Sequence, residues 1–257
     1  MRELKQAVIL AGGRGKRLIP ITDKLPKPMA PVNGNPFLDY LLDTLIKEGI
    51  KEIILLTGYK ANIIEERYKD YNDIVFKFSR GMVKDRTGRR LLNSFHLLDD
   101  NFLLLYGDNY WPLELNKMTN FFIKKKCKIS TTVFSNINGT GEYGYENNVV
   151  VDKDGFVIKY DKQRKSKMAN GVDIGYFIVS KEALNPNIQG NLSFEEDMLP
   201  YFLNNKNLAA YSTDNQYYYI TNMQTLKDFE VAVLPNRWPS FFTHNNKITI
   251  FLNNQQK

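Results

Sequence analysis

AVILAGGRGKRLIPITDKLPKPM, residues 7–29, is the stretch on which the reading of the whole chain turns. Residues 7–11 form a short, continuous apolar run, the pattern of a parallel strand buried on both faces. Leu10 and Ala11 close that run, and Gly12, Gly13 and Gly15 follow at once, so the strand gives way to a loop with bare backbone. Residues without Cβ tolerate positive φ and let N–H groups turn toward a ligand at close range. Arg14, Lys16, Arg17, Lys24 and Lys27 crowd the same stretch, and Pro26 and Pro28 restrict the backbone on both sides of Lys27. A solvated surface lysine needs no such restriction. A tight strand-to-helix turn would account for Gly12 and Gly13 alone, but bare backbone ringed by cations predicts a ligand carrying several phosphates. It is not a P-loop, since no Gly-Lys-Ser/Thr follows, nor a dinucleotide fingerprint, since the third glycine and the downstream acid are missing.

Working outward, strand-like runs alternate with amphipathic ones: AVIL, PFLDYLLDTLIKEG, KEIILLTGY, ANIIEERYKDY and DIVFKFS. Phe37, Tyr40, Leu41, Thr44 and Leu45 fall at helical spacing, with Gly49 where a helix stop belongs. This βαβαβ order predicts an α/β fold, a Rossmann-like doubly wound, mostly parallel mixed sheet that binds ligand at the carboxyl ends of its strands. FLLLYGDNYW, residues 102–111, places Asp108 at the same edge. A carboxylate beside a polyphosphate site can hold Mg²⁺, although a helix cap or turn former is the other reading of Asp108. Beyond Lys128 the chain becomes strand-rich, and ISTTVFS, NNVVVDKDGFVIKYD and VDIGYFIVS are expected to extend the first sheet and cover the cleft. Asp154-Gly155 marks a hairpin, and Tyr217–Tyr219 read as a half-buried strand. The segment after Phe229 has no helical periodicity, which sets the domain limits at 1–230 and 231–257.

The 257 residues carry a formal charge of +7 and are 43% hydrophobic, ordinary for a globular chain. The cations are scattered rather than gathered into a stripe, which argues against nucleic acid as a partner. A single cysteine excludes a disulfide framework and a cysteine zinc site. No apolar run approaches the ~20 residues of a membrane span, and MRELKQ lacks a signal-peptide apolar region, so the expected location is the cytoplasm with no membrane partner. His96 and His244 lack metal-ligand spacing, and His96 reads as structural.

Gly12, Gly13, Gly15, Arg17, Leu18, Pro20, Thr22, Pro26, Lys27 and Pro28 together resemble the opening signature of the sugar-1-phosphate nucleotidyltransferases. PFLDYLL, GIKEIIL, Gly107-Asp108, Tyr143-Gly144, Asp161-Lys162 and SFEEDML extend the likeness to about residue 230. The resemblance implies an enzyme that joins a nucleoside triphosphate to a sugar 1-phosphate, with Mg²⁺ as cofactor, and a homo-oligomer is compatible with it. Arg17, Lys27 and Asp108 are then catalytic, Asp108 being the metal ligand. Leu10, Ala11, Gly12, Gly13, Gly15, Lys16, Arg17, Thr87, Gly88 and Asp108 would bind the nucleotide. Lys27, Asn109, Tyr143, Gly144, Asp161, Lys162 and Asp173 would bind the sugar phosphate.

Departures from the signature narrow the likeness. A segment that relatives keep small reads Arg86-Thr87-Gly88-Arg89-Arg90 here, and is expected to be either a solvated flap or a source of one arginine closing over phosphate. Tyr219 stands where the resemblance places a second acidic metal ligand, and Asp173 where it places an asparagine. With LLLYGDNYWP and VDIGYFIV, these features look like the heptose 1-phosphate guanylyltransferase branch, which implies GTP and a heptose or hexose 1-phosphate. KITIFLNNQQK resembles the first strand of a haloacid-dehalogenase-type phosphatase, with Asn253 and Gln255 where its aspartates would stand, so 231–257 reads as a remnant of a fused phosphatase domain. Two rival functions remain: a degenerate nucleotide-sugar-binding regulatory protein, and a cytidylyltransferase for a non-sugar phosphate such as phosphocholine.

Overall fold

Alternate residues of the first strand feed two different cores, and this places a sheet at the centre of the molecule. In the computed structural model, which describes residues 4–71 and 74–233, Ala7 and Ile9 of β1 (Gln6–Leu10) belong to one buried cluster and Val8 and Leu10 to another. Burial on both faces is what a continuous apolar run predicts. The other strands of the central sheet are β2 (Glu52–Thr57), β3 (Val75–Arg80), β4 (Asn101–Tyr106), β5 (Ile129–Phe134), β8 (Val172–Ser180) and β9 (Leu208–Thr213). Their order is β9-β5-β8-β4-β1-β2-β3. Only β8 runs against its two neighbours, so the sheet is mostly parallel, as expected.

Helix α1 (Phe37–Lys47) lays Phe37, Leu38, Leu41, Leu42 and Leu45 onto the core. It stops where the sequence predicts: Gly49 takes a φ of +92°, and Ile50 N–H returns to the Leu45 carbonyl. Helix α2 (Ala61–Tyr68) crosses from β2 to β3, and α3 (Thr87–Asn93) and α4 (Leu115–Lys125) follow β3 and β4.

One expectation needs correction. NNVVVDKDGFVIKYD forms the predicted hairpin, with Gly155 at φ +77°, but its strands β6 (Val149–Val151) and β7 (Val157–Tyr160) make a separate two-stranded sheet instead of extending the main one. Helix α5 (Met223–Ala232) closes the described part of the chain. An Asn222–Thr225 capping box starts it, and Phe229 anchors it 5.0 Å from the Phe37 ring and 5.6 Å from Tyr40. The remaining tail, with its likeness to a phosphatase strand, lies outside the described residues, as does His244.

Candidate active site

The carboxyl ends of β1 and β4, with the turn between β3 and α3, open into a cleft of about 480 Å³. One wall is backbone. Leu10, Ala11, Gly12, Gly13 and Gly15 line it, followed by Lys16 and Arg17. Gly15 is the residue this wall cannot exchange: its φ is +62°, and a Cβ there would stand 2.8 Å from Cβ of Lys27. Gly13 is different, because a Cβ would meet no atom of the described residues within 4 Å. No described residue requires glycine at that position, which lines the cleft.

Lys27 begins a 3₁₀ turn directly after Pro26, whose extended backbone the proline ring favours. Its ammonium reaches 2.5 Å from Oδ2 of Asp108, and the two side chains are 12% and 34% exposed. Asp108 follows β4 through Gly107, where a Cβ would collide with the Leu10 carbonyl at 2.9 Å. The glycine therefore lets the Asp108 turn lie against β1. The Asp108 Oδ1 atom has no hydrogen bond to the described residues.

The second wall is built from side chains, in an adjoining hollow of about 450 Å³ that includes Asp108, Asn109, Tyr143, Lys162 and Asp173. Asp173 sits at an irregularity in the β8–β5 pairing. Its carboxylate accepts from Thr131 Oγ1 (2.8 Å) and Gly175 N–H (2.9 Å) on one oxygen, and from the Tyr160 hydroxyl (2.7 Å) on the other. Burial outweighs these donors and pushes the carboxyl up to about 6, with Glu195 adding to the rise. Asn109 donates to the Ile174 carbonyl at 2.9 Å, tying the Asp108 turn to β8.

Several side chains at this wall carry no role in the sequence reading. Ser193 caps a π-helical turn at Phe194–Met198 by accepting from Glu196 N–H, and the turn delivers three acids to the mouth. Glu196 meets Lys162 at 3.1 Å, Asp197 meets Arg86 at 3.1 Å, and Glu195 lines both halves of the cleft. Glu142 accepts from Thr221 at 2.7 Å and stands 3.8 Å from Arg17. SFEEDML signals the turn by its Ser and its acids, but helical spacing does not show that Glu195 faces inward.

Three expected site residues stand elsewhere. Gly88 packs inward against Met198 and the chain at Leu192–Phe194, because α3 turns it away from the cleft. Gly144 serves a turn at φ +60°, with its N–H on the Gly141 carbonyl. Asp161 spends its carboxylate on the N–H groups of Gln163, Lys165 and Ser166, shaping the loop that carries Lys162.

The three arginines of the 86–90 segment each have protein partners. Arg86 lines the cleft with its guanidinium on Glu196 and Asp197. Arg89 donates to the Ile188 and Gly190 carbonyls at 2.6 Å each. Arg90 is only 4% exposed and bonds to backbone carbonyls, and its burial holds the guanidinium below its ordinary value.

A nucleotidyl transferase family model matches residues 6–229, which spans the sheet and both walls of the cleft. The chain belongs to this nucleotidyltransferase family. Among its relatives, the D-glycero-alpha-D-manno-heptose 1-phosphate guanylyltransferase of Campylobacter jejuni is 33% identical over 74% of this chain and 83% of its own. The enzyme of the same name from Aneurinibacillus thermoaerophilus is 32% identical over 76% and 83%. A probable glucose-1-phosphate cytidylyltransferase from Bacillus subtilis is 27% identical over 87% and 92%. Among solved structures, HddC from Yersinia pseudotuberculosis complexed with GMP-PN superposes with a TM-score of 0.74 at 26% identity, covering 88% of this chain and 97% of that one. The mostly parallel mixed sheet of this nucleotidyltransferase is the architecture those relatives share. No helix among its described residues is long and apolar enough to cross a membrane.

Proposed function

We propose that the chain transfers a nucleoside monophosphate from GTP to a heptose 1-phosphate, forming a GDP-sugar and pyrophosphate. One observation carries the reading: at the end of β4, Lys27 and Asp108 touch across the seam between a backbone wall and a side-chain wall. The backbone wall suits a triphosphate, which its N–H groups and Arg17 can grip. The side-chain wall suits a sugar phosphate, with Lys162 for the charge and the buried polar groups around Asp173 for hydroxyls. The choice of base and sugar rests on the heptose guanylyltransferases among the relatives and on the GMP-PN complex of the structural neighbour.

Bringing these groups together suffices for chemistry without a protein nucleophile. A sugar phosphate oxygen attacks the α-phosphorus, the bond to the β-phosphate oxygen breaks, and pyrophosphate leaves with the electron pair. Lys27 stabilises charge that grows on the transferred group, and Arg17 holds the departing phosphates. Three hydroxyls that line the cleft have structural partners: Ser193 caps its turn, Thr87 accepts from Phe194 N–H, and Thr221 donates to Glu142, while the Tyr106 hydroxyl is buried with no hydrogen-bond partner among the described residues.

Mg²⁺ fits the donor set as an ion carried by substrate. No cluster of three or more His, Cys, Asp or Glu that could hold a metal occurs among the described residues. One carboxylate with an open oxygen, Asp108, matches the way Mg²⁺ is held by one or two carboxylates plus phosphates. When bound there it would neutralise phosphate charge. A pyrophosphate-release screen tests the reading, crossing GTP, UTP, CTP and dTTP with heptose and hexose 1-phosphates and with phosphocholine. The expected outcome is the highest kcat/KM for GTP with a heptose 1-phosphate. A preference for CTP with glucose 1-phosphate or phosphocholine would replace the base and acceptor, and no release from any pair would remove the activity.

A further inference from the structure

Three of the glycines at the strand ends share one neighbour. A Cβ on Gly12 would lie 2.2 Å from the Arg90 guanidinium, one on Gly58 2.5 Å from it, and one on Gly81 3.0 Å from it. These glycines follow β1, β2 and β3 in turn, so the three loops leave a slot that the Arg90 side chain fills from α3. Inside it, Nη1 donates to the Thr57 carbonyl at 2.7 Å, while Nη2 donates to the Met82 carbonyl at 2.7 Å and the Gly12 carbonyl at 3.2 Å. Nε donates to the Asp85 carbonyl at 3.1 Å.

We propose that Arg90 is a positioning residue for the nucleotide, acting by fixing the backbone of two loops that line the cleft. The inference rests on the nucleotidyl-transfer reading of that cleft. A trans peptide places its carbonyl and the next N–H on opposite sides. Holding the Gly12 carbonyl toward Arg90 thus turns the Gly13 N–H the other way, on a residue that lines the cleft. The bonds to Met82 and Asp85 fix the turn that presents Asp85, Arg86 and Thr87 to the same space. One planar fork with fixed donors can set the distance between these loops, whereas an ammonium is a single point with rotatable donors.

The test compares the full-length chain with its Arg90→Lys variant by isothermal titration with GTP, UTP, CTP and dTTP. In the variant, the nucleotide that wild type binds best should weaken at least tenfold, and the ratio between best and worst nucleotide should shrink at least threefold. A merely structural arginine would lower the thermal midpoint and leave the affinity and the ratio of the folded fraction unmoved, which would overturn the inference. If Arg90→Lys does not accumulate as folded protein, Gly81→Ala crowds the Asp85 carboxylate at 2.9 Å and the Arg90 guanidinium at 3.0 Å while keeping both charges. At least threefold weaker binding of the best nucleotide is expected for it, and unchanged binding overturns the proposal. A wild-type chain that binds none of the four would overturn the functional reading and this inference with it, whereas binding that Arg90→Lys leaves intact would overturn this inference alone.

Discussion

The two walls of the cleft are made by different means. The wall after β1 is a contiguous piece of chain, residues 10–17, whose chemistry comes from peptide groups and, of its three cations, from the two that line the cleft, Lys16 and Arg17. The wall around β8 is assembled from side chains on β4, β5, β7, β8 and the turn at Phe194–Met198, between residues separated by up to about a hundred positions. Backbone donors depend on φ and on absent Cβ atoms, so substitution acts on them through shape. Side-chain groups depend on burial and partners, so substitution acts through charge. Lys27 and Asp108 join the walls, one from each.

The largest effect is expected at that seam. Asp108→Asn keeps the shape but removes the charge, and kcat should fall on the order of 10³-fold with the thermal midpoint unchanged. Lys27→Ala should cost about 2–4 kcal/mol in kcat/KM. Steady-state kinetics beside thermal melts check both, and wild-type turnover in either variant would break the link between the walls.

Within the backbone wall, Gly13 and Gly15 should behave in opposite ways. Gly13→Ala meets open space, so the midpoint should hold while KM for the nucleotide rises at least tenfold, about 1.4 kcal/mol. Gly15→Ala is strained by its φ of +62° and by Lys27, and should destabilise by about 1–3 kcal/mol, read by urea unfolding. If Gly13→Ala bound nucleotide normally, the space beside it would not be a phosphate subsite. On the side-chain wall, Lys162→Ala should raise KM for the sugar phosphate about fivefold to tenfold and leave the nucleotide KM within twofold, because one partly exposed cation contributes on the order of 1 kcal/mol.

The smallest effect concerns pH. Asp173 titrates near 6 in the folded chain and near 3.8 unfolded. Between these values the folded state binds more protons, so this group makes stability fall as pH rises through the window. Asp173→Asn mimics the protonated form. Its midpoint should exceed wild type at pH 7.5 and approach it at pH 4, and parallel melting curves across that range would place Asp173 in contact with solvent instead.

The difference between the walls also explains what could be read without coordinates. The glycine loop, Lys27 between prolines, the Gly49 stop and the Asp154-Gly155 hairpin are local, and each carries its physical reason within a few residues. Arg90 was hidden because a charge run ordinarily lies in water, and the carbonyls that satisfy it come from three other loops. Gly88 and Asp161 belong to motifs near the cleft, yet helix rotation and a local turn decide where each points. Helix α5 has few buried apolar residues, Leu226 and Phe229 among them, too sparse a stripe to show a period. Its aromatic contacts with α1 supply what the pattern lacks.

The central claim is displacement at the α-phosphorus by a sugar phosphate, and the fate of label in GTP tests it most directly. With the acceptor that releases most pyrophosphate, label from the α-phosphate should appear in the sugar nucleotide and label from the γ-phosphate in pyrophosphate, both only when the sugar 1-phosphate is present. Label from the α-phosphate that stayed in GTP, or passed to free GMP or GDP without reaching a sugar nucleotide, would contradict the account.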